Sequence, residues 1–348
     1  MMRRILAMLI FVIGFFHASV FAASMQLPRS FSSEKVRPGA ASGPTRVAVA
    51  IWVADIPRID SVAQTFSADI AYVLRWRDPA LAHGEPHFKR YNLNEIWHPD
   101  WQVVNVVGSP ARSFPEVVEV AGDGTVTFRQ RIFGSFSQAT DLHAFPFDKG
   151  SFRIQFITVA QSPAEIRFVP DETKVNVGLT PSLGIAPHLT IQDWRITSHT
   201  ARVLPFSFSP RLEFASFVFE FQAERLSGHY TVKVILPLLL IVMMSWTAFW
   251  IDSTMAASQI GVATSSMLTL IAYRFSVGAD VPKIPYLTKL DSFILTSSVL
   301  IFFTLIEVIV TSKLAFNQRL DLSRKIDHYS RVAFPLAYFV VMIAIMLR

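Results

Sequence analysis

Two textures divide the chain. From about Arg46 to Ser227, apolar and polar residues alternate. Phe66, Ala68, Ile70, Tyr72, Leu74 and Trp76 fall on one face of an extended segment, while Ser67, Asp69 and Arg75 fall on the other. Val126, Phe128 and Ile132 alternate with Thr125, Thr127, Arg129 and Arg131, and Phe217, Phe219 and Phe221 alternate with Val218, Glu220 and Gln222. A period of two is that of a strand with one face buried. Turn signals separate these segments, among them Gly122-Asp123-Gly124, which suits a tight hairpin. Many short strands at this spacing predict an all-β, immunoglobulin-like sandwich.

After Tyr230 the alternation gives way to long apolar runs, at about 230–251, 258–278, 291–313 and 331–347. Each is near the roughly 20 residues that cross a bilayer as a helix. An all-α membrane domain of four helices is therefore expected over 228–348, following a β-sandwich over 46–227. The third-to-fourth connection carries Lys313, Arg319, Arg324, Lys325 and Arg331, against Lys283 and Lys289 in the second-to-third. By the positive-inside rule, the former lies in the cytoplasm, and the sandwich and the C-terminus lie outside the plasma (inner) membrane. Residues 1–22 fit this orientation. Arg3 and Arg4 precede an apolar run and Val20-Phe21-Ala22, the pattern of a secretory signal. Residues 23–45 read as a linker, ending in the Pro/Gly/Ser-rich stretch Pro38 to Pro44.

Composition agrees with contact with lipid. Apolar residues make up 51% and charged ones 17%, against about 25% charged in average soluble domains. The net charge of +6 is scattered, with no basic stripe carrying interleaved aromatics, so nucleic acid is not the expected partner. There is no cysteine, and the exported domain must stand on its core.

The second span is unlike the others. Gly261, Ser265, Leu268, Ala272, Phe275 and Ala279 follow one another by fours and threes and so form one stripe along a helix. Small and hydroxyl residues lie toward the inner end and larger apolar ones farther out. Small residues also let membrane helices pack closely, so the stripe alone leaves packing and pore lining open. A single such helix cannot enclose water. A pore needs several copies related by rotation, with Leu268 as an apolar constriction and Ser265 offering hydroxyls to an ion.

Further motifs bring in a family. Phe145-Pro146-Phe147-Asp148 follows the last residues of one strand pattern and precedes another. Trp76-Arg77-Asp78, Asn105 to Pro110, Gly134-Ser135-Phe136-Ser137, Pro237, Leu268 to Tyr273 with Phe275, Pro282 to Tyr286, and Ala333-Phe334-Pro335-Leu336 come in a fixed order. In these features the chain resembles the bacterial pentameric ligand-gated ion channels of the Cys-loop receptor superfamily, most closely the amine-gated branch. The resemblance covers about Val47 to Leu347. Gln138 and Phe152 stand where animal members carry the two cysteines of the signature loop.

The resemblance implies a homopentamer whose sandwich binds a small-molecule agonist, or protons, between subunits. The second helices would line a pore for passive flow of ions, cations being favoured. Membrane lipids are the remaining partner, and neither cofactor nor metal is expected. Ligand contacts are expected from Phe206, Phe208 and Phe214, with Gln102 and Arg131, although these phenylalanines suit core packing equally well. The aromatic cage is depleted, with Ala71, Ile157, Thr158 and Val159 where relatives carry rings or an acid. Coupling to the pore is expected from Phe145, Pro146, Phe147, Asp148, Arg225, Pro282 and Pro285. Phe147 is expected to bury against the helices, and Asp148 to pair with Arg225.

Other groups are weaker candidates. His83-Gly84-Glu85-Pro86-His87 lacks a third anchoring ligand for a metal. Ser32 and Lys35 match a catalytic spacing inside a linker. Glu307 is an acid within a span, a position that suggests function or an interfacial carboxylate near Lys313. A membrane-anchored hydrolase would need a nucleophile or metal motif, and neither Gly-x-Ser-x-Gly nor His-Glu-x-x-His occurs. A sandwich sensor without conduction would not need the stripe.

Overall fold

The computed structural model describes residues 36–40, 42–171, 183–209, 212–277 and 284–347. The segment 1–22 expected to be a signal and most of the expected linker lie outside the described residues, as do Ala279, Pro282, Lys283 and the side chain of Phe208.

The N-terminal half carries strands β1 (Thr45–Asp60), β2 (Thr65–Arg77), β3 (Lys89–Asn92), β4 (Trp101–Val103), β5 (Val106–Arg112), β6 (Val117–Val120) and β7 (Thr125–Ser137). They are followed by β8 (Lys149–Thr158), β9 (Ile166–Pro170), β10 (Leu183–Ile185), β11 (Trp194–Val203), β12 (Phe206–Ser209), β13 (Leu212–Phe214) and β14 (Ser216–Arg225). One sheet runs β10-β1-β2-β7-β6-β3, with β5 on β7 and β9 on β1. The second runs β11-β14-β8-β4, and β12 with β13 forms a separate hairpin. The turn between β6 and β7 is the one expected at Gly122-Asp123-Gly124. Gly124 has a φ of +82° and a Cβ there would come within 2.3 Å of the Asp78 carbonyl, so only glycine fits.

The alternation in β2 sorts its residues as expected, with Phe66, Ala68, Ile70, Tyr72, Leu74 and Trp76 all buried. Their partners come from both sheets. The Phe66 ring lies 5.2 Å from Phe136 in its own sheet, and 5.5 Å and 5.4 Å from Phe152 and Phe221 across the sandwich. β14 departs from simple alternation. Phe217, Phe219 and Phe221 face the core, but Val218 and Glu220 are buried too. This strand lies between β11 and β8, and Glu220 is covered by Ser151 and Arg153 of its neighbour, both of which bond to it.

Four helices follow: Gly228–Trp250, Ala256–Val277, Lys289–Phe316 and Leu320–Leu347. In the first, Pro237 follows a π-turn at Thr231–Ile235, and its missing N–H falls near the start of the regular helix. The third is opened by Thr288, whose hydroxyl accepts from the Asp291 amide while Asp291 accepts from Thr288. This reciprocal cap satisfies two orphan donors. The fourth begins at Leu320, ahead of the apolar run read from 331. Its first turns are helical but mixed in polarity, with Ser323, Asp327 and Ser330 buried and Leu322 and Tyr329 exposed. Hydropathy detects only the part that is apolar all round.

Replacing Phe66 by alanine empties the centre of the aromatic cluster, and a loss of about 3–5 kcal/mol is expected. Phe88→Ser, at a ring that is 66% exposed, serves as the control. Thermal unfolding of the detergent-solubilised protein should show a large drop for the first and little for the second; equal behaviour would refute the core assignment.

Candidate functional site

The loop between β7 and β8 meets the helices. Asp148 is buried at 2% exposure and Arg225, at the end of β14, at 4%. Arg225 Nε donates to Asp148 Oδ1 at 2.8 Å, and Nη2 donates to Oδ2 at 3.1 Å and to Ser61 Oγ at 2.6 Å. The expected ion pair is thus present, in the two-pronged form that suits a planar guanidinium. Arg225 also lies over two rings, 4.3 Å from Trp194 and 5.0 Å from Phe145. Trp194 faces Arg225 directly across the β11–β14 ladder.

One expectation about this loop is reversed. Phe147 is 40% exposed, whereas Phe145 is buried at 1%. Phe145 joins the helix core, its ring 4.9 Å from Tyr230. Asp148 must turn inward to reach Arg225, and its neighbour Phe147 is left outward. The loop also closes the start of the third span. The amides of Lys289 and Leu290 donate to the carbonyls of His143 and Phe145, at 3.0 Å and 3.2 Å. The first amides of any helix lack internal partners, and here the loop supplies them.

His143 stacks on Tyr286 at 4.0 Å, and the Tyr286 hydroxyl accepts from the Leu142 amide. Asp141 accepts from the His143 amide and imidazole, and these bonds hold its carboxyl below the usual range. On the other side, Gln64 in the β1–β2 turn bonds to the backbone of Thr140 and Gln138. The described part of the second-to-third connection therefore meets the loop at Tyr286. Pro285 is exposed. Ser61, Trp194 and Gln64 escaped the sequence reading, because only strand register and loop docking bring them to Arg225 and the loop.

The second span presents the stripe outward. Gly261, Ser265, Leu268, Ala272 and Phe275 are exposed in the single chain, Leu268 at 62% and Phe275 at 81%. The opposite face, with Gln259, Ala263, Ser266, Leu270 and Val277, is buried against the other helices. Tyr273 fixes this rotation by donating its hydroxyl to the Val234 carbonyl of the first span at 2.8 Å. Ahead of the span, Asp252 accepts from the Thr254 amide and hydroxyl and from Arg324 at 3.1 Å. Those contacts hold its carboxyl below the usual range.

The residues expected to meet a ligand are not gathered within one chain. Phe206 and Phe214 are cross-strand partners in the β12–β13 hairpin. Arg131 lies on the outer face of β7, directly opposite Ala71 of β2, and is held by Asp69 through two hydrogen bonds of 2.9 Å and 2.6 Å. Gln102 lines a cleft of about 260 Å³ with Tyr72, Trp101, Arg112, Glu116 and Gln130. Gln130 and Arg131 are consecutive on a strand and so point to opposite faces. Gln102 and Arg131 thus face different ways in one subunit. Ile157 and Thr158 are buried.

The neurotransmitter-gated ion-channel ligand binding domain matches residues 26–226, and the neurotransmitter-gated ion-channel transmembrane region matches 234–322. The chain belongs to this family. It is a ligand-gated ion channel of the membrane, with an external ligand-binding domain ahead of four spans. It is 28% identical over 307 residues to a proton-gated ion channel of Gloeobacter violaceus, covering 86% of this chain and 82% of that one. It is 25% identical to gamma-aminobutyric acid receptor subunit theta of Mus musculus and 23% to subunit beta-4 of Gallus gallus, each over 82% of this chain. The chain spans 44% and 58% of the length of those two subunits.

Asp148→Ala leaves a buried guanidinium without its carboxylate, and Arg225→Met leaves the converse; each is expected to cost about 3–5 kcal/mol. The double variant should cost less than the sum, since the two share one interaction. Thermal unfolding of all four proteins measures the coupling, and simple additivity would show that the pair is not one unit.

Proposed function

We propose that five copies of this chain form a homopentamer whose second spans line the pore with Gly261, Ser265, Leu268, Ala272, Phe275 and Ala279. The observation that carries this reading is the rotation of the second span. Its polar-to-apolar stripe is the face that the chain leaves uncovered, while its opposite face is packed. Leu268 then forms the apolar ring that gates by excluding water, and Ser265 lies on the inner side of it. Ions pass down their gradient without covalent chemistry.

The agonist enters between subunits, where the β12–β13 hairpin of one copy covers the β2–β7 face of the next. Phe206, Phe208 and Phe214 supply rings from the hairpin side, and Arg131 lies on the receiving face. Ala71 lacks a ring, and the buried Ile157 and Thr158 offer no acid. An organic ammonium needs such groups for cation–π and charge contacts, so a simple primary amine is not the agonist. Protons are the first agonist to test, because a similar channel of Gloeobacter violaceus is proton-gated. Occupancy is passed to the pore through Phe145, Pro146, Asp148 and Arg225, with Pro282 and Pro285 belonging to the connection that this loop touches.

Cations are the favoured ions on the branch resemblance. Ala256, Ala257 and Ser258 place no carboxylate at the start of the pore helix, and Asp252 is engaged by Arg324.

The chain has no cysteine, so single cysteines report cleanly. Cysteine at Gly261, Ser265, Leu268 or Ala272 should react with a charged, membrane-impermeant thiol reagent and block ion flux from liposomes, whereas cysteine at Ala263 or Leu270 should stay unmodified. Labelling of the buried face alone would sink the pore assignment. Reversal potentials in asymmetric salt test the cation preference, and an anion-selective reversal would overturn it. Asp148→Asn and Arg225→Gln should move the half-activating acidity or agonist concentration more than ligand affinity, because coupling between sites is itself a free energy; unchanged activation in both would remove the loop from the gating path.

A further inference from the structure

The two sheets of the sandwich part along one side. β10 ends the first sheet and β11 ends the second, and residues 186–193 connect them. Along β11, Trp194, Ile196 and His199 stand opposite Arg225, Ala223 and Phe221 of β14, with a register shift between Ile196 and Ser198. Opposite partners in a ladder share a face, so these three turn toward the core side, as Phe221 does. Such a bulge bends an edge strand. A cleft of about 420 Å³ lies here, between Ile185 of β10, Leu189 and Ile191 of the connection, and Trp194, Ile196 and His199 of β11. Its volume is in the range of small-molecule sites, about 300–1,000 Å³.

The roof of the cleft is tied in place. The Ala186 amide donates to the Val53 carbonyl at 2.9 Å, and the Leu226 amide donates to the Asp193 carbonyl at 2.8 Å. Between these ends, Asp55 accepts from the Thr190 amide at 2.8 Å and from its hydroxyl at 2.7 Å. The walls are apolar. Ile185, Leu189, Ile191 and Ile196 pack on the sandwich core yet stay half-exposed, which suits an apolar body. The polar side chains are Arg195, Thr197, Ser198 and His199, and no acid is among the described lining residues. Each of the four can donate a hydrogen bond, and the one formal charge, on Arg195, is positive. Arg195 stands opposite Glu224 on the outer face, and the Thr197 hydroxyl donates to the Gln222 carbonyl at 3.3 Å. His199 remains as the donor on the inner face, its ring stacked 5.7 Å from Phe219. An ammonium would find no counter-charge in this lining, whereas a carboxylate finds donors. The floor is Trp194, buried at 3% exposure. Its indole N–H has no acceptor among the described residues, so contact alone sets the ring. Those contacts are Phe152, edge-on at 5.6 Å, and the Arg225 guanidinium at 4.3 Å.

We infer that this cleft binds a small carboxylic acid with an apolar body, and that the occupant modulates the channel through Trp194 and Arg225. The body lies among Ile185, Leu189, Ile191 and Ile196, and the carboxylate accepts from His199. The occupant meets the face of the sandwich that holds Trp194, and so bears on the ring that covers the buried Arg225–Asp148 pair. The modulation rests on the proposed role of that pair in gating; the binding does not. The site shares no residue with the hairpin or the strand face expected to meet the agonist, and it is complete within one chain.

Equilibrium dialysis of the detergent-solubilised full chain with radiolabelled benzoate reads the binding. Wild type should bind it saturably, one molecule per chain. Leu189→Trp and Ile196→Trp fill the cleft from opposite walls, and each should abolish that binding. Leu189→Cys, folded first and then modified with a benzyl thiosulfonate, fills it without any demand on folding and should do the same. His199→Ala should weaken benzoate by about tenfold, the size of a hydrogen bond to a charged group, and leave competition by benzyl alcohol unchanged. Benzylammonium should not compete. No saturable binding, binding that survives all three filled clefts, or equal competition by benzylammonium would overturn the site. Loss of binding in Phe206→Ala with retention in the filled clefts would move it to the subunit interface. Ion flux from liposomes reads the modulation. Benzoate should shift the half-activating acidity or agonist concentration of wild type by about fivefold or more, and that of Ile196→Trp not at all. Binding without any shift would overturn the modulation alone, and a chain that conducts under no condition would fail the channel reading while dialysis still decides the site.

Discussion

The bond between Arg225 and Asp148 is what lets two unlike solvents meet in one chain. Removing both charges from water is costly, and a buried pair recovers that cost only when its geometry is good and its spare donors are used. Here they are used. The guanidinium takes both carboxylate oxygens and the Ser61 hydroxyl, and lies over the rings of Trp194 and Phe145. These five groups come from the β1–β2 turn, the β7–β8 loop, β11 and β14. A single side chain thereby fixes both layers of the sandwich at the edge where the helices begin. With Asp148 turned in, Phe145 is placed in the helix core and the loop carbonyls reach the amides of the third span.

The extent to which this was readable varies with the range of the interaction. Alternation in β2 gave its buried face residue by residue, and Gly122-Asp123-Gly124 gave its turn. Local chemistry suffices for both. The stripe of the second span was legible as a helical face, but its direction was not. That direction follows from Tyr273 reaching the first span, a contact between distant residues. The choice between Phe145 and Phe147 failed for the same kind of reason. Both are aromatic, and only the commitment of Asp148 to Arg225 decides which ring turns inward. In β14, pattern alone did not show that Glu220 would be covered by Ser151 and Arg153 of the neighbouring strand. The ligand residues were found singly, on the hairpin, the outer strand face and the cleft, because a site built between copies cannot be assembled from one chain's pattern.

The helix domain divides its polar groups with equal economy. Hydroxyls along the third span return to carbonyls one turn back, as Ser298 does to Ile294 at 2.7 Å and Thr304 to Leu300 at 3.1 Å. Such local bonds satisfy buried oxygens without fixing a neighbour. The inner end is the exception. There Gln259 reaches across to the Ala248 and Ile251 carbonyls, and Glu307 and Asp327 lie buried on the third and fourth spans. Between the ends the packing is mainly apolar, with a hydroxyl contact from Ser297 to Tyr338 of the fourth span at 3.3 Å.

The loop at the domain boundary has a further consequence for how the protein is made. In animal members of the superfamily two cysteines close this loop, whereas Gln138 and Phe152 occupy those positions here. Closure by an arginine, two helix amides and a stacked histidine requires no oxidant and no particular redox potential. A reducing environment cannot open it, and it can mature in any compartment that accepts the chain.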